Sequence, residues 1–220
     1  MNRLSKIANK VGTDKGTNWE DSHGYTEFYQ PFFEKYSNPN ILEIGTYLGR
    51  SAKMFEEFYD GDCKIYTCDI TQSGEYIKDV KTAEYFYVDE GRGDSLFSLK
   101  DKLKGIKFDI IIDDASHVWE HQFNGLTALH DMLSDDGIYV LEDLHYSRLH
   151  GDDPNITCNS PLYFLSFMFH SNSMGEEDNK ELLDKIEDIY IFSHKNETTK
   201  EMREWYGGRS MTAIKKKKKK

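Results

Sequence analysis

Cysteine is scarce in this chain: Cys63, Cys68 and Cys158 are the only three among 220 residues, an odd count without zinc-type spacing. Neither a disulfide framework nor a cysteine-rich metal site is supported, and the three read as ordinary thiols. Long apolar runs are lacking too. No stretch of ~18 apolar residues occurs, and the opening Met1-Asn2-Arg3-Leu4-Ser5-Lys6 leads into no signal-peptide segment. The expectation is a soluble, cytosolic protein without a membrane span. Positive charge is also short. The formal net charge is −11 despite six lysines at Lys215 to Lys220; without them, 22 basic residues face 39 acidic ones, or −17. Such a surface repels a phosphate backbone, which argues against nucleic acid as a partner. No internal repeat is visible, and the length suits one sizeable core.

What is present is an alternation. After a polar opening segment, residues 1–40, read as a helical or lid element, strand-like runs alternate with helix-length stretches. The predicted strands are Ile41 to Ile44, Lys64 to Asp69, Glu84 to Val88, Phe108 to Ile112, Ile138 to Leu141, Ile189 to Phe192 and Met211 to Ile214. Helical spacing covers Ser51 to Tyr59, Ser95 to Leu103 and Glu120 to Leu133. This predicts an α/β fold: one doubly wound, Rossmann-like domain over residues 41–214, with a mostly parallel seven-stranded sheet and helices on both faces. Gly151 to Ser160 reads as a surface loop, Met174 to Asp188 as loop passing into helix, and residues 215–220 as a tag or tail, with a membrane-surface role for it left open.

Two acidic clusters end buried strands: Asp113-Asp114-Ala115-Ser116-His117 and Glu142-Asp143-Leu144-His145. Carboxylates and a histidine at the end of an apolar run, twice over, are poor core material but a good way to assemble a metal site beside a base. In open α/β sheets ligands sit outside the carboxyl ends of the strands. Glu43, Gly45 and Asp69 occupy such ends as well. Glu43-Ile44-Gly45-Thr46-Tyr47-Leu48-Gly49 closes one strand and opens a helix, while Asp69, 26 residues after Glu43, is placed for the two hydroxyls of a ribose. The third glycine of a dinucleotide fingerprint is missing, and an acid before the turn suits a cationic group such as the ammonium of a methionine moiety better than a pyrophosphate. The bland alternatives are a simple strand-to-helix turn at Gly45 and Gly49, and helix caps at Asp69, Asp114, Ser116 and Asp143. Capping does not explain Glu142 beside Asp143.

Together with Gly12-Thr13-Asp14-Lys15-Gly16, His23, Tyr25 and Gly93-Asp94, these motifs resemble the class I S-adenosylmethionine-dependent methyltransferases. More specifically, they resemble the metal-dependent sugar O-methyltransferases of the macrolide type, over residues 12–146. The resemblance implies S-adenosylmethionine as cofactor and a sugar or glycan acceptor, such as a deoxyhexose of the rhamnose kind. It places Thr13, Lys15, Glu43, Gly45, Asp69, Asp94 and Asp113 on the cofactor side. Lys15 either clamps the cofactor carboxylate or lies on a solvated face, and Asp94 either meets the adenine edge or caps the helix at Ser95. Asp113 and Asp114 should point apart, as neighbours at a strand end do. A sugar hydroxyl holds its proton about as tightly as water, with a pKa near ~15.7, and needs activation. Asp114, Glu142 and Asp143 offer three hard oxygen ligands suited to magnesium or manganese. By resemblance these three carry over as the metal ligands, His117 as general base, and His23, Tyr25 and His145 as substrate-side residues. Tyr29, Trp119 and Tyr146 read either as pocket aromatics or as core. The chain departs from macrolide enzymes that carry a large N-terminal domain, so a homo-oligomer stays open. Competing readings are a catechol-type O-methyltransferase, a nicotinamide-dependent sugar oxidoreductase and a catalytically silent binding module; the oxidoreductase lacks a Tyr-x-x-x-Lys pair.

Overall fold

The computed structural model describes residues 1–18, 22–71, 77–144, 181–194 and 209–217. Twelve elements position the site: α1 (Arg3–Val11), α2 (Tyr25–Phe33), β1 (Asn40–Ile44), α3 (Arg50–Phe58), β2 (Lys64–Asp69), β3 (Ala83–Tyr87), α4 (Gly93–Lys102), β4 (Phe108–Asp113), α5 (Trp119–Leu129), β5 (Leu133–Leu141), β6 (Ile186–His194) and β7 (Arg209–Lys216). All seven predicted strands are present. They form one sheet in the order β3-β2-β1-β4-β5-β7-β6, parallel except for β7, which runs antiparallel to both neighbours.

Side chains on a strand alternate between faces, and two apolar layers follow that parity. Leu42, Ile44, Ile111, Tyr139 and Leu141 pack with Leu96, Leu99, Phe123 and Leu126 of α4 and α5. Ile41, Ile110, Ile112, Ile138 and Val140 pack on the opposite face with residues of α1, α2 and α3. The opening segment is therefore less polar in effect than it reads. A narrow apolar stripe, Leu4 and Ala8 on α1 with Tyr25, Tyr29 and Phe33 on α2, is fully buried. Asn2 caps α1 by accepting from the Ser5 N–H at 2.7 Å, and the Ser5 and Thr26 hydroxyls meet at 2.8 Å, fastening α1 to α2.

The C-terminal edge also differs from the sequence reading. β7 continues through Lys216, so Lys215 and Lys216 belong to the sheet rather than to a tail. Lys216 is buried and donates to the Leu133 carbonyl at 2.6 Å; Lys215 pairs with Glu187 at 2.9 Å. A lysine at either place has an acceptor within reach, which a run of identical residues does not reveal. Residues 181–184 are helical, but β6 takes over from Ile186, earlier than expected. The expected loop Gly151 to Ser160, Cys158 and residues 218–220 lie outside the described residues. Among those described, no helix is long and apolar enough to cross a membrane, and Cys63 and Cys68 are buried free thiols.

The topology fixes where ligands can sit. Strand order reverses between β1 and β4, which opens a crevice at their carboxyl ends. There the Asp114 N–H donates to the Ile44 carbonyl at 2.8 Å and the Glu142 N–H to the Asp113 carbonyl at 2.9 Å. Three strand ends thus lie side by side, bringing Gly45, Asp114 and Glu142 into one row.

Candidate active site

Strand parity decides which acids meet. Asp114 continues the Ile110, Ile112 face and Glu142 the Ile138, Val140 face, the side covered by the opening segment, whereas Asp113 points the other way. Lys15, 1% exposed, enters from that segment and donates to Asp114 Oδ2 and, at 2.7 Å, to Glu142 Oε2. The other Glu142 oxygen accepts from the Tyr29 hydroxyl. Burial alone would lower the Lys15 ammonium, but Asp114 and Glu142 outweigh it and hold the group well above its ordinary value. Burial pushes the Glu142 carboxyl up to about 8 and also raises Asp114, with Lys15 pulling both back.

Asp143 follows one residue later but leaves the strand parity. Its φ of 52° is left-handed, as is the 57° of His117, a conformation that costs a non-glycine residue energy and is held by its surroundings. The result is convergence. Asp143 Oδ1 accepts from the Tyr25 hydroxyl at 2.5 Å and lies 3.4 Å from His23 Nδ1. His117 stands between the two clusters, with Nδ1 3.9 Å from Asp114 Oδ1 and Nε2 3.8 Å from Asp143 Oδ2. Ligand atoms of Asp114, His117 and Asp143 lie within 4.8 Å of one another, a spacing that can hold a metal ion. Glu142 is bonded to Lys15 and Tyr29, and the third group beside Asp114 and Asp143 is His117.

A cleft adjoins this cluster. One cavity of about 410 Å³ is lined by Thr13, Asp14, Lys15, Gly45, Arg50, Ser51 and Asp114 among others. A second, of about 420 Å³, shares Asp14, Gly45, Tyr47 and Asp114 with it and extends past Asp69, Ile70, Glu90, His117 and Asp143. The floor depends on Gly45. Its φ is +99°, and a Cβ there would fall inside the contact radius of the Asp114 carbonyl oxygen. Asp69 is held rigidly at the rim, accepting from the Tyr47 N–H at 2.8 Å and the Thr71 N–H at 2.9 Å, with lone pairs left for hydroxyl donors.

Several sequence-read residues lie elsewhere. Glu43 is fully buried and lines neither cavity; it sits beneath the floor with Lys15 and Ser51 as polar neighbours, and burial pushes its carboxyl up to about 7. Asp113 faces α5, accepts from the Tyr139 hydroxyl at 3.1 Å and is raised by burial and by nearby Glu90. Asp94 is outside the cleft. It is exposed in the first turn of α4, where it pairs with Arg92 at 2.8 Å and complements the helix dipole. His145, Tyr146 and the Trp119 side chain lie outside the described residues.

Other groups were missed. Asp89, Glu90 and Gly91 follow Val88 just past the end of β3 and line the second cavity. Glu90 Oε2 accepts from Ser116 Oγ at 2.7 Å, which in turn meets His121 Nδ1 at 3.0 Å. Their position at a strand's carboxyl end was the available signal. Tyr29, read from the sequence as a pocket aromatic or a core residue, lies one helical turn after Tyr25, and that spacing was the signal that both hydroxyls reach one acidic cluster.

No protein-family model matches the chain. Demethylmacrocin O-methyltransferase of Streptomyces fradiae is 30% identical over 155 residues, which is 64% of this chain and 36% of that enzyme. Mycinamicin VI 2''-O-methyltransferase of Micromonospora griseorubida is 28% identical over 150 residues, again 64% and 36%. The chain therefore spans little more than a third of the length of these curated relatives. Among solved structures, the MycE methyltransferase of the mycinamycin pathway, in complex with Mg, SAH and mycinamycin VI, superposes with a TM-score of 0.72 at 20% identity, covering 99% of this chain and 55% of MycE. The O-methyltransferase TomG of Streptomyces achromogenes, in complex with SAM, gives 0.54 at 11% identity over 98% of this chain and 88% of TomG. The resemblance suggested by the motifs is thereby borne out: the chain is similar in sequence to macrolide sugar O-methyltransferases and has the Rossmann-like fold of the class I methyltransferases.

Proposed function

We propose that this protein is an S-adenosylmethionine-dependent, divalent-metal-dependent O-methyltransferase acting on a sugar hydroxyl, with a deoxyhexose of a glycan or natural product as acceptor. The observation that carries this reading is the meeting of Asp114, His117 and Asp143 at the end of a cleft whose rim holds Asp69. Two features support the cofactor's fit: Gly45, which keeps the floor open, and Glu43, a buried acid beneath it without a well-formed hydrogen bond. A cationic amine above that floor would find a negative charge below. Asp69 takes the ribose hydroxyls, Thr13 and Lys15 the amino-acid end, and the Asp89 to Gly91 stretch, which lines the second cavity as Asp94 does not, the adenine side.

Asp114 and Asp143 would hold a magnesium or manganese ion, which would supply the Lewis acidity to bring a hydroxyl pKa toward the physiological range. His117 accepts the hydroxyl proton. Its Nδ1 is shut away from solvent, so Nε2 is the nitrogen that meets the acceptor. Bound S-adenosylmethionine would supply the methyl group to an in-line acceptor oxygen, its carbon–sulfur bond breaking as the carbon–oxygen bond forms and its sulfonium leaving as a neutral thioether. Proximity and electrostatic stabilisation of the oxyanion supply most of the acceleration. The opening segment contributes by fixing the acids through Tyr25 and Tyr29.

The test is methyl transfer from labelled S-adenosylmethionine to a panel of rhamnosylated acceptors and catechols, with magnesium and with EDTA. A one-methyl mass gain on the sugar acceptors, abolished by EDTA and by His117→Ala, is expected. Methylation of catechols alone would move the acceptor class, and full activity in EDTA would overturn the metal-dependent reading.

A further inference from the structure

Lys15 occupies a position that a simple cofactor clamp or a simple metal site would not need. It forms part of the wall of the 410 Å³ cavity and at the same time bonds two acids of the neighbouring cluster, Asp114 and Glu142. A divalent cation approaching Asp114 and Asp143 therefore meets a fixed ammonium in contact with one of its ligands, and the two cations repel. Glu142 has one oxygen engaged by Lys15 and the other by Tyr29, so a cation reaching it competes with a donor on either side.

We propose that Lys15 couples cofactor binding to metal binding: the carboxylate at the amino-acid end of the cofactor draws the ammonium toward the cavity, releasing Asp114 Oδ2 and Glu142 Oε2 to the cation. Lys15 is then a positioning residue that acts through the acids it holds. Without cofactor the Lys15 ammonium offsets part of the cluster's negative charge and the cluster binds metal weakly; with cofactor it presents its full charge, with Glu142 as a third oxygen ligand. Linkage makes the effect reciprocal, so metal tightens cofactor binding by the same factor. The inference rests on the methyltransferase reading, since it needs a ligand bearing a carboxylate in that cavity.

The experiment is titration of the full chain with manganese, followed by electron paramagnetic resonance of the free ion. It is run alone, with saturating S-adenosylhomocysteine, and with saturating 5'-methylthioadenosine, which keeps the nucleoside and sulfur but lacks the amino-acid end. S-adenosylhomocysteine should tighten manganese binding by about tenfold, within the usual range of coupling between sites; methylthioadenosine should leave it unchanged. Lys15→Met should bind manganese tightly without any nucleoside and show no further response. Equal manganese affinity with and without S-adenosylhomocysteine, or equal tightening by methylthioadenosine, overturns the coupling while leaving the methyltransferase reading intact. Failure of S-adenosylhomocysteine to bind at all overturns both. The comparison between the two nucleosides needs no variant, so it stands even if Lys15→Met does not fold.

Discussion

The Tyr25 hydroxyl donates to Asp143 Oδ1 at 2.5 Å across 118 residues of sequence, joining the opening segment to the end of β5. The tyrosine is wholly buried and burial, reinforced by Asp143, raises its hydroxyl well above the ordinary value, so it remains a donor at any physiological pH. Tyr25→Phe should destabilise the protein by about 1.5–3 kcal/mol, the usual cost of losing a hydrogen bond to a charged group, read by urea denaturation. It should also weaken manganese binding, because the left-handed Asp143 loses the contact that orients its carboxylate.

Gly45 and Gly61 make a matched pair. Both have positive φ, +99° and +80°, but an added Cβ meets the Asp114 backbone at the first and nothing within 4 Å at the second. Gly61→Ala should cost only the ~1–2 kcal/mol of a left-handed L-residue. Gly45→Ala should cost more and abolish S-adenosylhomocysteine binding in calorimetry, since β1 and β4 must separate to admit the methyl group.

Much of this was legible in the sequence, for definite reasons. Seven short apolar runs alternating with helical stretches specify the sheet, because a parallel strand buried on both faces must be apolar throughout. Gly45, Asp69, Asp114, His117 and Asp143 line one cavity, as the rule that ligands gather at strand ends leads one to expect. Lys15 and Glu142 show where that rule stops. Which partner a buried acid takes depends on strand parity and on what the opening segment brings over the sheet, and neither is visible in spacing along the chain. Asp94 lines neither cavity for a related reason: it stands four residues beyond Glu90, in the first turn of α4, where an acid serves the helix.

Glu43 opposes stability in favour of the site. Its carboxyl titrates near 7 when folded against ~4.5 unfolded, so the unfolded state releases its proton first and stability falls as pH rises through that window. Above pH 7, Glu43→Gln should therefore be more stable, by on the order of 3 kcal/mol at pH 8. The same variant should bind S-adenosylhomocysteine more weakly. Unfolding curves at pH 5 and pH 8 check the first half, since the gain should vanish near pH 4.5.

His130 gives the opposite dependence, away from the site. It is 1% exposed, neither ring nitrogen has a hydrogen-bond partner among the described residues, and burial together with Lys216 lowers its pKa to about 4. Unfolding restores the ordinary value, so the unfolded state binds the extra proton and stability drops as pH falls from about 6.5 to about 4. His130→Gln should flatten the curve over that interval by up to about 3 kcal/mol, measured as the difference between the two proteins' unfolding free energies at each pH.

The central claim is that a cation and a sulfonium donor share the row of strand ends formed by β1, β4 and β5. Crystals grown with manganese and S-adenosylhomocysteine, measured at the manganese absorption edge, test it most directly. The account expects an anomalous peak within about 2.0–2.6 Å of the carboxylates of Asp114 and Asp143, with Lys15 turned toward the cofactor. Nucleoside density in the cleft with no peak beside those two acids would contradict it.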